Sequence, residues 1–191
     1  MLSRVLLPAA AACVASFAGV GAQVPRESGP PAATADRFLR SVRALRWDAA
    51  SELIHPETLA RFSTLVSTIA AADATGETGR SLTGTDPDGF AALSQEQIFA
   101  RAIASMLTDM PGLANALHDR DDFVLGHVIE GADSAHAVYR TLARIGGAVA
   151  EVKVIQLVRT DSGWRIFWSD ELEVLDAALR GVSTNRGPRL G

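Results

Sequence analysis

The sequence predicts an α+β fold in which N-terminal helices pack on a curved, mostly antiparallel meander of four or more strands. Apolar residues recur at helical spacing from about residue 34 to residue 118. From Phe123 the pattern alternates with period two for roughly 45 residues, and short Gly-rich segments divide that stretch into runs. Because short turns of this kind join neighbouring antiparallel strands, a single helix-backed sheet is expected.

The first 22 residues predict a cleavable secretory signal peptide. They contain one positive charge at Arg4, an apolar stretch from Val5 to Val20, and small residues ahead of Gln23. The apolar stretch is about 16 residues long, whereas a membrane-spanning helix needs about 20. Cleavage near Ala22 is therefore expected, and it would release a periplasmic or extracellular protein with no membrane span. A retained membrane anchor is the alternative.

Cysteine content and charge narrow the classes of function. The single cysteine, Cys13, lies inside the predicted leader, so the mature chain is expected to have no disulfide and no cysteine-ligated metal. Cys13 also follows three alanines, which loosely resembles a lipoprotein cleavage site, and lipidation is the alternative there. Loss of the leader leaves 17 Lys and Arg against 22 Asp and Glu, and this acidic balance disfavours nucleic-acid binding.

The first element of the folded domain is predicted to be one long amphipathic helix. Residues 23–33 are proline-rich and predict a flexible linker, so a single domain is expected over 34–180, with a disordered tail over 181–191. Thr34 is a plausible N-cap. Apolar residues then recur at helical spacing for about 20 residues, until His55-Pro56 ends the helix.

Residues 70–118 predict a loop and helical insert. A second helix is expected over 57–72, and the Gly-, Thr- and Asp-rich stretch that follows it predicts an exposed loop. Ser94 with Gln97 three residues later forms a capping box, which predicts a helix that ends near Asp109.

Four runs of alternating residues predict the strands: Phe123–Glu130, Ala135–Leu142, Val149–Arg159 and Trp164–Ser169. If Gly146-Gly147 forms a two-residue turn, Tyr139 lies opposite Val154. A three-residue loop at 161–163 then places Val158 opposite Ile166. This register predicts an inner face with Val152, Val154, Val158, Trp164, Ile166 and Trp168. The predicted outer face carries Val138, Leu142, Ile155, Leu157 and Phe167.

The order of the elements resembles that of a known superfamily. The opening helix ends in Leu53-Ile54-His55-Pro56, the third strand covers Ala150–Arg159, and the last strand contains Gly163-Trp164-Arg165-Ile166. Over about residues 34–180 this pattern resembles the nuclear transport factor two-like superfamily of cone-shaped α+β proteins. The resemblance implies a helix-backed sheet around an apolar cavity. Members include isomerases and dehydratases, and many bind or assemble without catalysis, so the fold does not decide the function.

Three polar-capable residues lie on the predicted inner face among valines. Tyr139, Gln156 and Trp168 are the predicted ligand-binding residues there, and Asp170 follows the last strand on the same side. Tyr139 and Asp170 are also candidates for a general acid/base pair, since burial raises a carboxyl pKa and a phenol donates to an oxyanion. The alternative is that Tyr139 and Trp168 are satisfied core donors and that Asp170 caps a helix.

Arginine and histidine supply the other candidates. Arg46 falls within the apolar arc of the first helix, where it would bind a ligand carboxylate, or alternatively pair with an internal acid or extend its charged head to the rim. His55 is a candidate base at the mouth of the cavity, or a helix cap. His127 and His136 would face one another if Gly131-Ala132 forms a two-residue loop, but a zinc site needs a third ligand. Neither a metal nor another cofactor is therefore expected.

No motif in the sequence has the specificity of a catalytic signature. The leading hypothesis is a non-catalytic exported domain that binds a small apolar or amphipathic ligand or a partner protein. One alternative is an isomerase or dehydratase that uses Asp170 or His55 as base, with Tyr139 as donor and Arg46 orienting the substrate. The other is a homodimeric assembly module that pairs through the outer sheet face.

Overall fold

The computed structural model describes residues 30–143 and 149–185, and it confirms the α+β class. Its helices are α1 (Pro30–Arg43), α2 (Trp47–Ser51), α3 (Pro56–Ala71), α4 (Glu77–Thr83), α5 (Pro87–Ala91), α6 (Gln95–Asp109), α7 (Pro111–His118) and α8 (Asp170–Asn185). The strands β1 (Arg120–Glu130), β2 (Ser134–Ala143), β3 (Val149–Thr160) and β4 (Gly163–Trp168) form an antiparallel meander in chain order. The predicted leader and the Gly146-Gly147 turn lie outside the described residues.

The single long helix predicted at the start of the domain is wrong, because the chain forms α1 and α2 there instead. Helix α1 begins at Pro30, inside the segment predicted to be a linker. Leu45 then adopts a left-handed φ of 53°, and the backbone N–H of Arg46 donates to the carbonyl of Ser41 at 2.9 Å. Apolar spacing continues through this break, so periodicity gave no sign of it.

The insert contains more helix than predicted. Helix α6 begins at the expected capping box, in which Ser94 and Gln97 exchange hydrogen bonds. The stretch predicted to be an exposed loop instead forms α4 and α5. Leu82 of α4 is buried in the core, and Asp86 caps α5 by accepting from the N–H of Gly89 at 2.8 Å. One buried leucine and a local cap therefore order a segment whose composition is typical of a loop.

The sheet has the predicted strands but a different register between β2 and β3. Tyr139 lies opposite Lys153, one residue from the predicted partner, and the pair nearest the connection is Ala143 with Val149. A shift of one residue moves every side chain of a strand to the other face. The residues buried on the inner face are Ala135, Ala137, Tyr139, Ile155, Leu157 and Ile166.

Strand β3 has apolar residues on both faces, which explains the wrong register. Val152 and Val154, predicted to be inside, are 67% and 47% exposed, whereas Ile155 and Leu157, predicted to be outside, are fully buried. Either register buries aliphatic side chains, so alternation alone does not choose between them. In the fold, the larger isoleucine and leucine are the residues removed from water.

The helices pack against the inner face, and the edge of β4 is covered by the segment between α2 and α3. Ile54 forms a parallel bridge with Ile166 there, with backbone hydrogen bonds of 2.8 Å from His55 to Ile166 and from Ile166 to Leu53. Among the described residues, no helix has the length and apolar content needed to cross a membrane.

Candidate functional site

Tyr139 is at the centre of a buried polar cluster on the inner face. Its hydroxyl donates to Glu171 Oε1 at 2.7 Å, and both residues are removed from solvent. Strand β2 points Tyr139 at the helical layer, and the first turn of α8 brings Glu171 over it. Burial, together with the neighbouring Glu171 charge, raises the pKa of Tyr139 far above its ordinary value. The phenol therefore stays protonated and remains bonded to Glu171.

Arg120 joins Glu171 to a second carboxylate in this cluster. Its Nη1 lies 3.0 Å from Glu171 Oε1, and its Nε lies 3.0 Å from Asp122 Oδ2. Thr141 donates to Asp122 Oδ1 at 2.6 Å. All three charged side chains are less than a tenth exposed. Burial raises the pKa of the Asp122 carboxyl, and the Arg120 charge opposes that rise only in part.

Hydrogen bonding within the cluster is incomplete. Arg120 Nη2 and Glu171 Oε2 are buried without a hydrogen-bond partner among the described residues, and Arg120 Nε faces Asp122 Oδ2 without hydrogen-bond geometry. Each carboxylate therefore accepts one short side-chain hydrogen bond, from Tyr139 or Thr141, and is attracted to Arg120 as an ion pair. Such a cluster orders the start of α8 against β1 and β2 at a cost in desolvation.

Asp170 lies beside this cluster but at its rim. The carboxylate is half exposed, and Oδ2 lies 3.4 Å from the Nζ of Lys153. The acid bonded to Tyr139 is thus Glu171, the next residue along, and the predicted pairing of Tyr139 with Asp170 does not occur. Arg120 and Asp122 were not among the predicted site residues, because they precede the predicted first strand, which begins at Phe123, whereas β1 begins at Arg120.

The other predicted inner-face residues are dispersed. Trp168 is partly buried against the core, with the Arg61 guanidinium 4.4 Å from its ring centre. Gln156 lies between the buried Ile155 and Leu157 in β3, so it is on the outer face and its predicted inward position is wrong. The predicted pairing of Val158 with Ile166 is also wrong, because Val158 lies opposite Arg165 and Ile166 lies opposite Leu157.

His55 and Arg46 lie away from Tyr139. His55 caps α3, since its Nδ1 accepts from the N–H of Glu57 at 3.2 Å, and its ring contacts Phe167. Arg46 is exposed at the surface between α1 and α2, so the prediction that it points inward is wrong. Trp47 takes the buried position instead, with its ring 6.3 Å from that of Phe99.

The two strand histidines do not face one another. Glu130 pairs with Ser134, so three residues connect β1 and β2, and His127 lies opposite Ala137. His136 then lies on the other face, where its Nδ1 is 3.5 Å from Glu130 Oε2. Within residues 30–143 and 149–185, no three His, Cys, Asp or Glu side chains are grouped as metal ligands.

The face of the sheet turned away from the helices carries exposed apolar residues beside His136, Arg140 and Gln156. Val128, Val152 and Val154 are 59%, 67% and 47% exposed on it, and Val138 lies directly opposite Val154 on the neighbouring strand. We call this surface the outer sheet face; its apolar residues are Phe123, Val128, Val138, Leu142, Val152, Val154, Val158 and Phe167. Val138, Leu142 and Phe167 were predicted here, whereas Ile155 and Leu157 belong to the core.

Comparisons of the chain with protein-family models, with curated proteins and with solved structures find no significant match. The resemblance to the nuclear transport factor two-like superfamily therefore stays a prediction based on the order of elements. The evidence on function therefore comes from the surfaces and side chains of this chain.

Proposed function

We propose that the protein is an exported, non-catalytic domain that assembles as a homodimer through the outer sheet face. The observation that carries this proposal is the exposure of adjacent valines at the centre of a four-stranded face. Val152 and Val154 on β3 and Val128 on β1 are each about half exposed or more. Contiguous apolar surface of this kind is typical of an interaction site, whereas single exposed apolar residues are ordinary.

The dimensions of the face support a second copy as its partner. The four strands average about ten residues in length. At a spacing of about 4.8 Å and a rise of about 3.3 Å per residue, they present roughly 600 Å² of flat area. Side-chain relief increases the accessible area above this value. Stable interfaces bury about 800 Å² on each partner, so the face is large enough for a dimer.

The charges on the outer sheet face also bear on self-association. Arg140 lies between Phe123 and Val152 in one cross-strand row, and Glu130 lies at the hairpin between β1 and β2. A two-fold axis in the interface plane and across the strands would bring Glu130 of one copy toward Arg140 of the other.

The inner face favours binding by this surface over catalysis or an internal ligand. Its aliphatic residues are fully buried, and the Tyr139 hydroxyl is already bonded to Glu171. Asp170 is paired with Lys153, and His55 caps α3. The residues that an isomerase mechanism would need are therefore engaged in separate structural contacts.

Sedimentation velocity on the protein purified after export tests the proposal. The wild type is expected to be a dimer at tens of micromolar, and Val154→Asp is expected to be a monomer, because a buried carboxylate without a partner opposes association. Val174→Asp on α8 is the matched control, since Val174 is 45% exposed against 47% for Val154. A monomeric wild type, or equal dissociation by both variants, would contradict the dimer.

A further inference from the structure

A concave surface lies on the helical side of the molecule, between α1 and α2. Its volume is about 360 Å³, near the lower end of the range for small-molecule sites. The polar residues that line it are Arg37, Arg40, Ser41, Arg46 and Glu52, and Leu53 supplies an apolar wall. This surface, which we call the arginine pocket, shares no residue with the outer sheet face.

Helix geometry and one unusual residue assemble the arginine pocket. Arg37, Arg40 and Ser41 are three and four residues apart, so they share one face of α1. The left-handed turn at Leu45 reverses the chain, and the hydrogen bond from the Arg46 N–H to the Ser41 carbonyl brings Arg46 back to that face. A left-handed φ is disfavoured for leucine, and such residues cluster at functional sites.

Positive charge in the arginine pocket is only partly neutralised. Arg40 forms an ion pair with Asp36 at 2.7 Å. Arg37 and Arg46 line the same pocket as exposed residues, and neither guanidinium group forms an ion pair or a hydrogen bond with another described side chain. The lining thus carries three guanidinium groups against the Glu52 carboxylate and the adjoining Asp36 carboxylate, in a protein whose net charge is −4. Concentrated positive charge in a cleft attracts anions.

We propose that the arginine pocket binds the carboxylate or phosphate group of a small anionic molecule. Arg37 and Arg46 would supply the guanidinium groups, which match the oxygens of both anions in a bidentate geometry. Arg40 already forms an ion pair with Asp36, and its guanidinium adds positive charge to the lining of the arginine pocket. Leu53 would contact the carbon part of the ligand.

Titration calorimetry in low-salt, chloride-free buffer tests this with two probes, inorganic phosphate and succinate. Saturable binding of one molecule of either probe per chain is expected, and the probe that binds more tightly identifies the anion. Arg46→Gln and Arg37→Gln should each raise the Kd about tenfold or more, the loss expected for a charge-assisted contact. The matched control is Arg159→Gln, which removes an exposed arginine of β3 outside the pocket.

Two results would overturn the arginine pocket as a binding site. One is the absence of saturation by both probes. The other is equal weakening by Arg159→Gln and Arg46→Gln, because binding would then reflect total charge alone. Binding to Val154→Asp should match that of the wild type, so failure of the pocket and failure of the proposed dimer are distinguishable.

Discussion

Arg120 shows how much the surroundings of one residue decide its role. The sequence places it among Asp119, Asp121 and Asp122, a pattern typical of an exposed turn. In the fold its guanidinium is almost fully buried between Asp122 and Glu171. All three charges have lost their hydration. The attraction between a buried arginine and two acids therefore offsets this desolvation cost and is not a net gain in stability.

The raised pKa of the Asp122 carboxyl predicts how the free energy of unfolding depends on pH. In the folded state the protonated form is favoured relative to the unfolded chain, where the carboxyl has its ordinary pKa of 3.8. The stability that this preference contributes is therefore fully present below the pKa of the unfolded chain. It is lost as the pH rises through the pKa of the folded state. We expect the free energy of unfolding of Asp122→Asn to lie within about 1 kcal/mol of the wild-type value at pH 3 and to exceed it at pH 7.

Urea unfolding between pH 3 and pH 7 measures this difference. The asparagine retains an oxygen to accept from Thr141, so the hydrogen bond at 2.6 Å has a counterpart in the variant. Asp36→Asn is the control, since Asp36 forms an exposed pair with Arg40 that contributes little. An advantage of the wild type that grows with pH would show that Asp122 is stabilised as the anion instead.

In β3, the alternation of residues does not predict which face is buried, and packing against the helices decides it. Both sets of alternate residues in this strand are rich in valine, isoleucine or leucine. The N-terminal cap of α6 was easier to predict, because Ser94 with Gln97 is a local pattern whose hydrogen bonds need no distant partner, whereas Thr34, also predicted as an N-cap, lies inside α1. Register depends on which side the helices cover, and that is not a local property.

Two adjacent alanine substitutions test the faces of β3. Ile155→Ala should lower the free energy of unfolding by about 2–5 kcal/mol, because it leaves a cavity in the core. Val154→Ala removes a side chain that is 47% exposed and should cost the folded monomer less than about 1 kcal/mol. Denaturant unfolding at a low protein concentration makes the comparison. A larger loss for Val154→Ala would restore the predicted register.

The edges of the sheet are consistent with association by its face. The β4 edge is paired with the segment around Ile54, and β1 has a register shift between Val124 and Gly126. An irregular edge strand pairs poorly with another strand. Edge-to-edge addition is therefore disfavoured, which supports the proposed association through the outer sheet face.

For the whole molecule, export is a proposal that rests on residues 1–22. When the full chain is expressed in a bacterial host, we expect the exported protein to begin near Gln23, and intact mass spectrometry reads this directly. Ala22→Arg should block cleavage, because a small residue is needed there, whereas Ala9→Val within the apolar stretch should not. An exported protein that keeps its leader, or that carries a lipid on Cys13, would contradict the cleavage.

Local periodicity and local hydrogen bonding were sufficient to predict the α+β class, the four strands, the capped helix α6 and the order of elements. The outward face of Val152 and Val154 and the burial of Arg120 with Glu171 became known only from the fold. These features depend on which residues far apart in the chain become neighbours. A strand that is apolar on both sides, and a charge whose partner is 51 residues away, carry no local sign of that choice.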